Sequence, residues 1–213
     1  LDLTLQHEAQ RIIEDKISEF EESSDGHNGA LFAMDPKTGQ ILVYLGSRDY
    51  FRDDIEGRND NVISLNSPGS TLKPFTYITA FMQGWSTGTG ILDTPAKIMD
   101  PATGQFFSPR NPSGAYEGAI TAAHALGNSL NVPAFKAILF AGVGNTAAVY
   151  RQVGITTLDN PSGYGPSLTL GGVDITLLDV TFAYSVLANN GVMRGQKALE
   201  PHDPGERTRV SLR

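Results

Sequence analysis

The pattern of hydrophobic and polar positions at the N-terminus predicts a short strand and then a long helix. Residues 1–5 alternate apolar and polar side chains, which is the period of a half-exposed strand. Residues 6–22 repeat apolar side chains at helical spacing, with Ile13, Ile17 and Phe20 on one face. The charged residues 21–28 then predict a linker. Residues 1–28 are therefore interpreted as an N-terminal strand, helix and linker.

Two apolar runs, at residues 30–34 and 41–45, predict a pair of antiparallel strands. The connection between them contains Lys37-Thr38-Gly39, and Gly39 supplies the backbone angle that a tight turn requires. We therefore expect a hairpin here, followed by a polar loop at residues 48–61.

The middle of the chain predicts helices around one irregular segment. An apolar helix runs from Ser70 to Gly84, and residues 84–117, rich in Gly, Pro, Ser and Thr, predict an irregular stretch along a cleft. Further helices are predicted at residues 121–126, 133–141, 145–152 and 176–190, the last opened by a Thr176–Asp179 capping box. Strands at one end and helices in the middle predict an α+β fold, an antiparallel sheet with a helical lobe.

Composition narrows the classes of function. The formal net charge of −7 argues against binding to nucleic acid, and the absence of Cys excludes disulfides and thiolate metal sites. The four His residues are scattered without metal-ligand spacing, so we predict neither a metal nor a cofactor. No run approaches 18 apolar residues and there is no signal peptide, so we expect any membrane anchor to lie outside these residues.

The tetrapeptide Ser70-Thr71-Leu72-Lys73 is the first candidate for chemistry, because it places a hydroxyl and an amine on one helical face. A lone match is weak, since Ser70 could merely cap a helix and Lys73 could be solvated. Pro74 is tolerable only if Ser70 lies at the helix start. Lysine acts as a base only when neutral, so a functional site must lower the pKa of Lys73 through burial or positive charge nearby.

The tripeptide Ser129-Leu130-Asn131 supplies another hydroxyl and a carboxamide. Asn131 also has a plain structural interpretation, as the N-cap of a helix that carries Pro133 in its first turn. The preceding Gly127-Asn128 predicts a bend between two helices, where side chains can point sideways into a cleft. Both interpretations can hold at once.

Several segments resemble the transpeptidase domains of penicillin-binding proteins, in which Ser-x-x-Lys and Ser-x-Asn elements are paired. The likeness is carried by residues 30–42, 68–75, 125–134, 169–178 and 183–191, in the order of the family. Residues 46–50, Gly-Ser-Arg-Asp-Tyr, resemble the bifunctional, class A branch. The resemblance implies a penicillin-binding/β-lactamase-like serine acyltransferase fold, a partial transpeptidase domain at residues 29–195 and an unmatched polar tail at 196–213.

By the same resemblance, Ser70 is the acylated nucleophile, Lys73 its base, Ser129 a proton shuttle and Asn131 a contact to the substrate amide. The implied activity is that of a D,D-transpeptidase that cross-links peptidoglycan stem peptides and is acylated by β-lactams. The implied location is the extracytoplasmic face of the bacterial plasma membrane, with an upstream glycosyltransferase domain and a membrane anchor outside this chain.

The family's third element, Lys-Thr-Gly, does not follow Asn131 in these residues. Lys37-Thr38-Gly39 precedes Ser70 and is interpreted as the hairpin turn. We therefore expect a C-terminally truncated domain that acylates slowly on its own. The alternatives are a non-catalytic fragment or a β-lactam-sensing module, and less plausibly a β-lactamase, for which no deacylating Glu motif is found.

Overall fold

The computed structural model describes residues 1–24, 26–99, 104–158 and 163–194. The predicted tail at 196–213 lies outside them. Two compact units are present, one of residues 1–66, 153–155 and those from Ile175 onward, the other of residues 67–152 and 156–174. The helices are α1 (Leu3–Ser24), α2 (Lys73–Met82), α3 (Ala122–Gly127), α4 (Asn131–Ala141), α5 (Val143–Gln152) and α6 (Leu177–Ala188). The strands are β1 (Leu31–Met34), β2 (Ile41–Leu45), β3 (Gly90–Asp93), β4 (Ile98–Met99), β5 (Phe106–Phe107) and β6 (Gly118–Thr121).

The strand predicted at residues 1–5 is wrong, because α1 already begins at Leu3. The carboxylate of Asp2 accepts hydrogen bonds from the backbone N–H groups of Thr4 (2.9 Å) and Leu5 (3.1 Å). Asp2 thus caps the helix, and this local signal outweighs the short alternation of side chains. The helix also continues to Ser24, so the linker predicted from residue 21 begins later than expected.

The predicted hairpin is confirmed, with β1 and β2 antiparallel and Leu31 opposite Leu45. Asp35 organises the turn, since its carboxylate accepts from the backbone N–H of Lys37 (2.8 Å) and from the hydroxyl of Thr38 (2.8 Å). Gly39 has a φ of 76°, which an L-residue with a side chain adopts only with strain. Lys37-Thr38-Gly39 is therefore a turn, as predicted.

The hairpin carries the core of the first unit. One cluster joins the α1 residue Ala9 to Val43 and Leu45, and another joins Phe32 to the α6 residue Phe182. The start of α6 is also as predicted, because the side chain of Thr176 accepts from the backbone N–H of Asp179.

The second unit is built on α2 and α4, each of which buries one apolar face. Phe75 on α2 and Phe135 and Ile138 on α4 have no exposed surface. The stretch predicted to be irregular is partly ordered, because β3 pairs with β6 and β4 with β5, both antiparallel. Within the described residues every ladder has two strands, so the antiparallel sheet of the α+β prediction is realised as small separate sheets.

In the first unit, the buried guanidinium of Arg48 joins the end of the hairpin to α1. It donates to both carboxylate oxygens of Glu14 (2.7 and 2.8 Å) and to Glu21. Arg48 is only 4% exposed, whereas the side chain of Glu14 is half exposed. The hydrogen bonds from Arg48 lower the pKa of both carboxyls.

We predict that Arg48→Met lowers the free energy of unfolding by about 1–3 kcal/mol at pH 7, because charged hydrogen bonds are lost. Carboxyls with a lowered pKa in the folded state stabilise it above their unfolded pKa, near 4.3, and that stability is lost as the pH falls further. Denaturant unfolding from pH 7 to pH 3 should therefore show a flatter acid limb in Arg48→Met. Arg11→Met removes two exposed ion pairs on α1, to Glu8 and Asp15, and is the control, for which we expect a small change. An unchanged acid limb in Arg48→Met would contradict the prediction.

Candidate active site

Ser70 lies in a 3-10 turn, Gly69–Leu72, that leads directly into α2. Pro74 explains the turn, since an α-helix would need an N–H at that position to bond the carbonyl of Ser70. The N–H of Lys73 bonds this carbonyl instead, which is the 3-10 pattern. Gly69 enters the turn with a φ of 54°. Ser70 is thus held at the positive end of the helix with its side chain exposed.

Lys73 is buried, with 1% of its surface exposed. Its Nζ donates to the carbonyl oxygen of Ser129 (2.6 Å) and to Oδ1 of Asn131 (2.6 Å), and lies 3.1 Å from Oγ of Ser129. Burial lowers the pKa of Lys73 to about 8. At pH 7 about one lysine in ten is then neutral, compared with about one in 2500 at the ordinary pKa. Burial therefore lowers the pKa of Lys73, as a lysine base requires.

The three contacts of Lys73 differ in what they allow the amine to do. The Ser129 carbonyl and the Asn131 carboxamide oxygen only accept hydrogen bonds, so they each take one N–H. The Ser129 hydroxyl can either accept or donate. When the amine is neutral, its two N–H bonds are used by the two fixed acceptors and its lone pair is left for a hydroxyl. The arrangement therefore suits proton exchange between Lys73 and Ser129.

Ser129 has a φ of 51°, in the left-handed region that residues with a side chain seldom occupy. Such a conformation costs about 1–3 kcal/mol and persists only where surrounding structure imposes it. Here α3 ends with the N–H of Leu130 bonded to the carbonyl of Ala125 (3.0 Å), and α4 begins at Asn131. The reversal at Ser129 turns both its carbonyl and its hydroxyl towards Lys73.

Asn131 is the first residue of α4, but its side chain does not cap that helix, so the N-cap interpretation is wrong. Nδ2 of Asn131 donates to the carbonyl of Arg110 (2.7 Å), which leaves Oδ1 for Lys73. The cap is supplied from a distance, by the carboxamide of Asn111, which accepts from the N–H groups of Asn131 and Val132. The side chain of Asn131 is therefore available to the site.

The structure thus brings together three of the four predicted residues, Lys73, Ser129 and Asn131, by direct hydrogen bonds. Ser70 lies one helical turn before Lys73, yet its Oγ is not among the hydrogen-bond partners of Nζ in the described part of the chain. The expected contact from the amine to the Ser70 hydroxyl is therefore replaced here by contacts to Ser129 and Asn131, because the junction of α3 and α4 presents fixed acceptors to the buried amine.

Sequence reasoning missed the groups that support the site. Arg110 and Asn111 fall in the stretch interpreted as irregular, and a lone Asn before Pro112 carries no signal beyond a turn. Beneath the Ser70 turn, the hydroxyl of Tyr150 donates to the carbonyl of Leu72 (3.1 Å) and bonds Thr76, which also bonds Thr169. These three hydroxyls lie on separate segments of the chain, so no sequence motif indicates that they are bonded to one another.

The described residues contain no group of three or more His, Asp or Glu side chains that could hold a metal ion. Among them, too, no single helix is long and apolar enough to cross a membrane. The pair α4 and α5 passes that test together, by length and composition only, with a bend of 94° between them.

Solved structures of penicillin-binding proteins have a similar fold. The crystal structure of penicillin-binding protein 1A from Haemophilus influenzae superposes with a TM-score of 0.69 at 27% identity, over 80% of this chain and 26% of that one. PonA1 from Mycobacterium tuberculosis, in complex with penicillin V, gives a TM-score of 0.71 at 24% identity, over 87% and 50% of the two chains. This likeness confirms the α+β fold class of the prediction.

Sequence comparison gives the family. The model of the penicillin binding protein transpeptidase domain matches residues 29–202, so the chain belongs to that family. Penicillin-binding protein 1A from Neisseria meningitidis is 34% identical over 164 residues, which are 76% of this chain and 20% of the relative. Penicillin-binding protein 2D from Bacillus subtilis is 31% identical over 199 residues, 93% of this chain and 27% of the relative. The chain thus spans about a quarter or less of the length of these relatives.

We predict that Lys73 titrates near pH 8, about two units below an ordinary lysine, because burial disfavours its charged form. The measurement is the pH dependence of its side-chain ¹³Cε resonance, assigned by its disappearance in Lys73→Arg. Since the unfolded chain binds this proton more tightly, Lys73 also makes the free energy of unfolding rise between about pH 8 and 10.4. A midpoint above pH 10 would show that the amine is not desolvated.

Proposed function

We propose that this chain carries the acyl-transfer site of a D,D-transpeptidase, with Ser70 as nucleophile and Lys73 as its base. The observation that carries the proposal is the buried Lys73 amine, held by Ser129 and Asn131 next to a serine at a helix start. A serine hydroxyl needs an adjacent base to become a nucleophile, and an amine with a pKa of about 8 is neutral often enough to serve.

In the proposed reaction, Ser70 Oγ attacks the carbonyl of the penultimate residue of a stem peptide ending in D-Ala-D-Ala. Its proton passes to Lys73, and the Ser70 backbone N–H donates to the oxyanion that forms. Lys73 returns a proton, through the Ser129 hydroxyl, to the departing nitrogen, and D-alanine leaves. An amine of a second stem peptide then attacks the Ser70 ester, restoring the hydroxyl and forming the cross-link.

A β-lactam follows the same first step, because its strained amide presents an equivalent carbonyl. Attack by Ser70 opens the ring, but the departing nitrogen stays tethered to the acyl group. In this proposal the Asn131 carboxamide contacts the substrate amide, for which its position beside Lys73 is suited. Peptidoglycan stem peptides are the substrates and β-lactams the inhibitors.

The cellular setting belongs to the same proposal. Substrates of this kind place the domain on the extracytoplasmic face of the bacterial plasma membrane. The similarity to class A relatives, which are several times longer than the matched segment, supports an upstream glycosyltransferase domain and a membrane anchor as partners in one polypeptide.

Two other functions use the same fold. A non-catalytic or β-lactam-sensing module would be acylated without transferring the acyl group to an amine. A β-lactamase would need a base to activate water against the ester, and the described hydrogen-bond partners of Lys73 include no carboxylate. Transfer of the acyl group from a D-Ala-D-Ala peptide to an added amino acid separates the transpeptidase from both.

We predict that Ser70→Ala abolishes the covalent adduct with a labelled penicillin, because the attacking oxygen is removed. Intact-mass spectrometry after long incubation detects the adduct even when acylation is slow. Ser67→Ala is the matched control, since this nearby hydroxyl donates to the carbonyl of Gly171 (2.8 Å) and has no lysine three residues on. The nucleophile assignment is wrong if folded Ser70→Ala still forms the adduct.

We predict that Lys73→Arg folds but acylates at least about 100-fold more slowly, because a guanidinium cannot give up its proton near neutral pH. The parent rate should rise with pH, reach half its maximum near pH 8, where half of the Lys73 amines are neutral, and level off above that, and the variant should lack this rise. Lys136→Arg on α4 is the control, because that amine donates to the carbonyl of Leu92 instead. An unchanged rate in Lys73→Arg would place the base elsewhere.

A further inference from the structure

The buried carboxamide of Asn111 holds the first turn of α4. Its Oδ1 accepts from the backbone N–H groups of Asn131 (3.0 Å) and Val132 (3.2 Å). These are the first two residues of α4, whose N–H groups have no partner inside the helix. Asn111 is 4% exposed, so water has little access to this end of the helix. The residue therefore performs from twenty positions away the capping that a local side chain usually performs.

The orientation of this carboxamide is imposed by Asp93. Nδ2 of Asn111 donates to Oδ2 (2.8 Å) and Oδ1 (3.1 Å) of Asp93, and to the carbonyl of Ala115 (3.0 Å). Asp93 ends β3, has no exposed surface and also accepts from the N–H of Glu117 (2.9 Å). A carboxylate only accepts, so it requires the NH₂ group of Asn111 on its side and leaves the oxygen for α4.

The residue before Asn111 fixes the side chain of Asn131. The carbonyl of Arg110 accepts from Nδ2 of Asn131, and this bond leaves Oδ1 directed at Nζ of Lys73. Two adjacent residues of one segment therefore set both the backbone start of α4 and the rotamer of its first side chain. The connection runs from Asp93 through Asn111 and Asn131 to Lys73, and every step is a hydrogen bond.

We propose that Asn111, aligned by Asp93, is a positioning residue for the acyl-transfer site. It acts through Asn131, by holding the backbone start of α4 from which the carboxamide that accepts from Lys73 projects. The expected effect of Asn111 on acylation rests on the proposed function. If Asn111 only stabilised the second unit, its substitution would lower the stability of that unit without specifically displacing Asn131.

The sharpest test exchanges the two polar partners. Asn111→Asp keeps an oxygen for α4 but sets a second carboxyl against the buried Asp93, so at a pH where both carboxyls are ionised they repel and the cap is pushed away. The double variant Asp93→Asn/Asn111→Asp restores a donor opposite an acceptor and keeps the net charge of the parent. Ala115 loses a donor in the double variant, but it is exposed and water can replace that bond.

The readout is the side-chain NH₂ resonance of Asn131 in protein labelled with ¹⁵N-asparagine, assigned by its loss in Asn131→Asp. In Asn111→Asp we expect this resonance to move, and the backbone amides of Asn131 and Val132 to exchange at least about tenfold faster. In the double variant we expect the Asn131 resonance at its parent position, and amide exchange rates of Asn131 and Val132 within about threefold of the parent rates. The same pattern should appear in penicillin acylation, as a fall of about tenfold or more in the acylation step with little change in the initial binding constant.

Gln83→Ala is the matched control, because the Gln83 carboxamide bonds the carbonyl of Ala141 (2.6 Å) at the opposite end of α4. It should lower the melting temperature without moving the Asn131 resonance. Should Asn111→Asp not fold, Asp93→Asn replaces it. Oδ2 of Asp93 accepts from both Asn111 and Glu117, so an amide that keeps its oxygen there sets its NH₂ at the position of Oδ1, against the NH₂ of Asn111. The same movement of the Asn131 resonance is then expected.

The proposal is overturned if Asn111→Asp leaves the Asn131 resonance unchanged, if Gln83→Ala moves it equally, or if the double variant folds without restoring it. These outcomes do not depend on acylation. If Ser70→Ala keeps its adduct, the proposed function fails while the resonances still decide the role of Asn111.

Discussion

The buried amine of Lys73 is the constraint around which the second unit is arranged. An amine taken out of water must find hydrogen-bond partners, and here the partners come from the junction of α3 and α4. To present them, the chain leaves α3 through a left-handed residue, Ser129, and starts α4 at once with Asn131. The packing of α2 on α4 and the chemistry of the site are therefore one arrangement, because the contact that buries the lysine is also the contact that lowers its pKa.

This arrangement has an energetic cost that the surrounding core offsets. The left-handed Ser129 costs about 1–3 kcal/mol, and the buried Asp93 and Lys73 add desolvation. Against these stand the fully buried apolar side chains of α2 and α4, each worth about 1.5–3 kcal/mol. Strain and buried polar groups concentrated at one place are typical of functional sites, and their position beside Ser70 favours the proposed function over a purely structural role.

The sequence was sufficient to predict the turns and helix caps that are determined by neighbouring residues. The hairpin turn around Gly39 and the Thr176 cap of α6 were predicted because one or two adjacent side chains determine them. The strand at residues 1–5 was predicted wrongly because the Asp2 cap competes with a short alternation, and the cap wins. The spacing of Ser70 and Lys73 placed them on one face, but the direction of the amine depends on acceptors 56 and 58 residues away. The cap from Asn111 also comes from outside the helix, 20 residues before Asn131.

Pro74 determines the backbone conformation of the turn that carries Ser70. A proline there deprives the carbonyl of Ser70 of its α-helical partner, and the residue before a proline avoids the α region. The chain satisfies the carbonyl with the N–H of Lys73 in a 3-10 turn, although Lys73 itself remains helical, with φ −55° and ψ −43°. The carbonyl of Leu72 gains the buried hydroxyl of Tyr150. The Ser70 turn is therefore braced by the helix that follows and by a hydroxyl from α5. A serine braced in this way keeps its backbone N–H fixed at the helix start, as a donor to an oxyanion must be before the reaction begins.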